Sequence, residues 1–121
     1  MAKKKQKKIM VVDDDPHVVV FLKDLFTDAG YEVVIAANGA QAVDTARRTR
    51  PDLITLDIVM PESWGPRFRQ ALLKDPDLAG VPVVVISGLP ASRQIIPNAS
   101  AWLSKPADAD ALLTAVRQLI G

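Results

Sequence analysis

The sequence contains no cysteine, a single histidine and few aromatic residues, 5% of the chain. Without cysteine there is no disulfide, no thiolate zinc site and no cysteine nucleophile. With His17 as the lone imidazole, a multi-histidine metal site is impossible and a Ser-His-Asp triad is disfavoured. Long apolar runs are missing as well. The run at residues 81–86 is far short of the roughly 20 residues a membrane span requires, and no apolar stretch follows the N-terminal lysines as it would in a secretory signal. The expected address is therefore the cytoplasm, with no membrane partner. What is present is ordinary for a folded domain: 121 residues, 49% hydrophobic and 24% charged, enough for one core and too few for two.

The formal net charge is +1, but Lys3, Lys4, Lys5, Lys7 and Lys8 supply five of the 15 basic residues. The remainder, 10 basic against 14 acidic residues, is an acidic body near −4. No aromatic or arginine is interleaved with the lysines, so residues 1–8 read as a basic solubilising tail rather than a nucleic-acid contact. Residues 9–121 read as the folded domain.

Along the chain, short β-branched runs alternate with longer stretches of helical period, the pattern of a parallel sheet with crossover helices. Strands are predicted at residues 9–12, 33–36, 53–56, 83–86 and 101–103. The first is followed by Asp15 as an N-cap, Pro16 at the first helical position, and Val18, Leu22, Leu25, Phe26 and Ala29 on one face, with Gly30 as the stop. Asn38 with Gln41 resembles a capping box, and Pro51 stops that helix. Residues 61–66, including Trp64, read as a loop before a third helix carrying Phe68, Ala71 and Leu72. Pro90 and Pro97 leave room for little more than one or two helical turns in the fourth crossover, which is expected to be short or irregular. The last helix is capped by Asp108 and periodic at Leu112, Val116 and Leu119. The expectation is an α/β, doubly wound, five-stranded parallel sheet in the order 2-1-3-4-5.

In such a sheet ligands bind outside the carboxyl ends of the strands, where the strand order reverses. The polar residues at those ends are Asp13 with Asp14, then Asp57, Ser87 and Lys105. Three carboxylates in one crevice repel, so either a pKa rises or a cation joins them. An oxygen-only donor set points to a hard ion, and magnesium suits a few carboxylates that share it with water and a phosphate oxygen. Lys105 offers a point charge to a phosphoryl oxygen and Ser87 a hydrogen bond to another. Asp57, alone at the end of the central strand, is the candidate nucleophile for an aspartyl phosphate. An Asp-x-Asp phosphatase of the haloacid-dehalogenase type needs an acid where Val59 stands. A mononucleotide site would want amide-presenting Gly, Ser or Thr where Asp13, Asp14 and Asp15 stand.

These residues in this order resemble the receiver domain of bacterial two-component response regulators, of the CheY-like superfamily. The segments are Val11-Val12-Asp13-Asp14-Asp15-Pro16, Leu53-Ile54-Thr55-Leu56-Asp57-Ile58-Val59-Met60-Pro61, Val84-Val85-Ile86-Ser87-Gly88 and Trp102-Leu103-Ser104-Lys105-Pro106. The resemblance implies a flavodoxin-like receiver fold. It implies Asp57 as the phosphorylation site and Ser87 and Lys105 as the groups that assist the transfer. It also implies Asp13, Asp14, Asp57 and the Val59 carbonyl around Mg2+. Ser87 and Trp102 would form the switch, Trp102 standing where tyrosine or phenylalanine is usual. The implied partners are a histidine kinase or histidine phosphotransfer protein and a downstream protein target, with no direct nucleic acid. The chain would be a signalling phosphoacceptor that catalyses only its own phosphorylation and dephosphorylation. The alternative is a pseudo-receiver, an interaction module that signals without phosphorylation. A phosphohydrolase acting on an external substrate lacks its acid-base residues.

Overall fold

A computed structural model describes residues 6–57, 64–87, 100–104 and 108–121, apart from the side chains of Ala40, Trp64, Pro66, Ser87, Trp102 and Ser104. Its elements run β1 (Lys8–Val12), α1 (Pro16–Asp28), β2 (Glu32–Ala36), α2 (Gly39–Thr49), β3 (Leu53–Leu56), α3 (Trp64–Lys74), β4 (Val83–Ser87), β5 (Ala101–Ser104) and α4 (Ala109–Ile120). The strands form one parallel sheet in the order β2-β1-β3-β4-β5. Among the described residues no helix is long and apolar enough to cross a membrane.

Successive strand side chains point to opposite faces, and both faces are covered. On one, Met10, Val12, Ile54, Leu56, Val83 and Val85 pack with Ala42 and Ala46 of α2 and Phe68 and Leu72 of α3. On the other, Ile9, Val11, Leu53, Val84 and Ile86 meet Leu22 and Phe26 of α1 and Leu112 and Val116 of α4. Two-sided burial is why the strands are apolar runs rather than alternating ones. Tyr31, just before β2, closes the second layer by an edge-on contact with the Phe26 ring, 6.4 Å between centroids.

Local chemistry explains where the elements begin and end. Asp15 accepts from the His17 N–H at 2.9 Å and caps α1, with Pro16 at the first helical position. Asn38 accepts from the Gln41 N–H at 2.9 Å and caps α2. Asp108 accepts from the Asp110 N–H and caps α4. After α1 the chain turns through Gly30 at φ 98°, a left-handed conformation without penalty only for glycine. α2 ends on Arg50, which adopts the left-handed region at φ 50°. Pro51 disfavours helical geometry in the residue before it.

Two expectations are corrected. Lys8, read as tail, is the first residue of β1. Its N–H donates to Asp52 Oδ2 at 2.7 Å, and its Nζ reaches the Thr49 carbonyl at 2.7 Å and Glu32 Oε2 at 3.4 Å. Trp64, read as loop, opens α3. Pro66 is no barrier there, because first-turn N–H groups have no intrahelical partner to lose. The expected short fourth crossover falls on residues 88–99, outside the described residues.

Candidate functional site

The site grows out of the register. Val12 pairs with Leu56, so Asp13 and Asp57, one residue further on, leave the sheet side by side. The Asp57 N–H still donates to the Val12 carbonyl at 3.0 Å, extending the ladder to the nucleophile candidate. Asp13 Oδ1 accepts from the Asp15 N–H at 2.9 Å, which folds the β1–α1 turn back over the strand end. The two carboxylates are almost fully enclosed, 3% exposed at Asp13 and 4% at Asp57. Asp14 is exposed at the rim. Each offers an oxygen to one cluster in which the three atoms lie within 4.8 Å of one another.

The position obeys the rule for open parallel sheets. The order reverses between β2-β1 and β1-β3, and the carboxylates stand at the carboxyl ends of the two strands that border that reversal. Leu56 pairs with Val85, and Ser87 with Ser104. The Ser87 backbone therefore ends β4 on the same side of the sheet, and the β5 chain stops one residue short of Lys105. The Ser87 and Trp102 side chains, and Val59 and Lys105 altogether, lie outside what the structure describes.

The donor set fits a hard divalent cation. Oxygens held by magnesium at 2.0–2.1 Å stand about 3 Å apart when adjacent and about 4 Å apart when opposite. Carboxylate oxygens already within 4.8 Å need small movements, or an intervening water, to close on such an ion. Enclosure of two anions beside a third argues for a cation, because their repulsion is poorly screened away from water.

The family description "response regulator receiver domain" matches residues 9–117, a span that begins in β1, ends in α4 and holds every carboxylate of the cluster. The chain belongs to the response regulator receiver family. This receiver domain is 37% identical over 109 residues to protein Rrf1 of Nitratidesulfovibrio vulgaris, covering 90% of the chain and 79% of that protein. It is 30% identical over 119 residues to the polar-differentiation response regulator DivK of Brucella anthropi, covering 95% and 97%. The receiver domain of the sensor histidine kinase PA1611 of Pseudomonas aeruginosa superposes with a TM-score of 0.88 at 25% identity, covering 97% of this chain and 99% of that one. That structure holds a magnesium ion in its active-site cleft. Receiver domains are signalling modules of two-component systems, and the acidic pocket of this one is compatible with Mg2+ and with aspartyl phosphorylation.

Two buried polar side chains carry no signal in the sequence pattern. Thr55, in the middle of β3, is 1% exposed, and its hydroxyl has no hydrogen-bond partner among the described residues. Arg69, on α3, is 4% exposed, and burial holds its pKa below the ordinary arginine value. Thr55 looks like any β-branched strand residue, and Arg69 like any charged helix residue, until tertiary packing encloses them.

Proposed function

We propose that the receiver accepts a phosphoryl group from a phosphohistidine onto Asp57 in a Mg2+-dependent step and thereby changes its protein contacts. The observation that supports this reading is the three-carboxylate cluster, with Asp57 at the end of a central strand and beside Asp13 across the register. An Asp57 carboxylate oxygen attacks phosphorus, and the phosphorus–nitrogen bond breaks as the oxygen–phosphorus bond forms. The imidazole nitrogen leaves with the bonding pair and takes up a proton.

Asp13, Asp14, Asp57 and the Val59 carbonyl would hold the metal, which when bound neutralises charge between the carboxylates and the phosphoryl oxygens. Lys105 supplies a second positive charge and Ser87 a hydrogen-bond donor to the phosphoryl group. Ser87 and Trp102 carry the change towards a downstream protein. The donor is a histidine kinase or a histidine phosphotransfer protein.

Incubation with Mg2+ and a small phosphodonor, or with a phosphohistidine protein, should add one phosphoryl group to the wild type by intact mass. None should be added to Asp57→Asn or in the presence of EDTA. A folded wild type that takes up nothing from either donor would overturn the reading in favour of a phosphorylation-independent interaction module.

A further inference from the structure

We propose that the open edge of β2, with the groove between that edge and α2, is a homodimer interface in which two copies join their sheets antiparallel about a two-fold axis. The inference is independent of the phosphoryl chemistry. Among the described residues β2 is the outermost strand and pairs only with β1. The Glu32 N–H donates inward to the Lys7 carbonyl at 2.9 Å. Because hydrogen-bonding direction alternates along a parallel ladder, Val34 and Ala36 also face β1, while Val33 and Ile35 direct their N–H and C=O groups to the open side.

Exposed edges are usually blunted by lysine, proline, a bulge or a covering element. β2 reads Glu-Val-Val-Ile-Ala, with neither lysine nor proline, and its register to β1 is unbroken over all five residues. The elements that pack substantially on it among the described residues are β1, α1 and α2. Ile35 is 39% exposed, and among the described residues it is the one strand residue with a large exposed apolar side chain. Beside it runs a groove of about 470 Å3 lined by Ile35, Gln41, Asp44, Thr45 and Arg48. The four helical residues share one face of α2. Asp44 and Arg48 carry opposite charges, and neither is in an ion pair among the described residues.

A second copy is the occupant because this surface is complementary to itself. A two-fold axis at Val34 sets Val33 opposite the partner's Ile35 and Ile35 opposite the partner's Val33. The four outward backbone groups of each copy are then used up in four hydrogen bonds, and each Ile35 packs on a β-branched neighbour. The same axis runs α2 antiparallel to its mate, which directs Asp44 towards the partner's Arg48 and Arg48 towards the partner's Asp44. An unrelated extended peptide would satisfy the edge and leave the two charges unmatched. The joined edges leave the carboxyl ends of β1 and β3 uncovered, so the acidic pocket stays open in the dimer.

Sedimentation velocity across a series from micromolar to near-millimolar protein tests this. The wild type should move from monomer to dimer as concentration rises, and Ile35→Lys should remain monomeric with an unchanged thermal melt. Asp44→Arg should weaken the dimer at least about tenfold, and the exchanged pair Asp44→Arg with Arg48→Asp should restore it. A wild type that is monomeric throughout overturns the proposal. So does a dimer that persists in Ile35→Lys, or an exchanged pair that fails to recover association.

Discussion

Thr55 is a polar side chain buried within the sheet. Its hydroxyl lies two residues before Asp57 on the same side of β3, enclosed and without a hydrogen-bond partner among the described residues. An unmet buried hydroxyl costs about 1–3 kcal/mol. Thr55→Val, which keeps the shape and removes the polar group, should raise the unfolding free energy by about 1 kcal/mol in a urea titration. A loss of stability instead would mean that the hydroxyl finds a partner in solution. The contrast with Asp13 and Asp57 is instructive. Their position at strand ends followed from the apolar runs that precede them, so their convergence was legible. Thr55 lies inside such a run, and only the packing of α1 and α4 over the sheet makes its hydroxyl a liability.

Among the elements, helix starts were readable because caps are local: Asp15, Asn38 and Asp108 each accept a hydrogen bond from an N–H two or three residues on. The start of α3 was not, because two prolines in residues 61–66 outweighed the tolerance of a first turn for Pro66. Contacts between elements lie further from sequence. α2 is tied to the turn after α3 by Arg47, whose Nε donates to Asp75 Oδ2 at 3.0 Å. That hydrogen bond, followed by one from the Asp77 N–H, holds the Asp75 carboxyl below its ordinary pKa. A carboxylate depressed in the folded state stabilises it above the unfolded pKa, about 3.9, and the benefit disappears as pH falls through the lower folded value. Asp75→Asn should therefore lower the melting temperature at pH 6 more than at pH 2.5. An equal loss at both would assign the effect to packing.

For the whole molecule, the carboxyl ends of β1 and β3 bring three carboxylates together. Two enclosed carboxylates lie beside a third within 4.8 Å, and like charges so placed repel one another. In EDTA, Asp14→Asn should melt above the wild type, because it removes one repelling charge at the rim. With Mg2+ added the order should narrow or reverse, since a ligand that binds only the folded state raises its stability by mass action. Differential scanning fluorimetry with and without Mg2+ reads both effects. A wild type indifferent to Mg2+ would count against the metal-holding role of these carboxylates.

What the sequence determined by itself was local. Apolar run lengths set strands, caps set helix starts, and the aspartates after the first and third strands, Asp13, Asp14 and Asp57, were those that meet at the sheet's carboxyl end. These follow from periods of two and 3.6 residues and from backbone groups that need nearby partners. Tertiary structure alone decided that Val12 pairs with Leu56, which makes Asp13 and Asp57 neighbours across 44 residues of chain. It also decided that Lys8 belongs to the sheet, that Thr55 and Arg69 are enclosed, and which backbone groups of β2 face the open edge. Register, burial and edges are properties of how strands lie beside one another, and no stretch of a single strand encodes them.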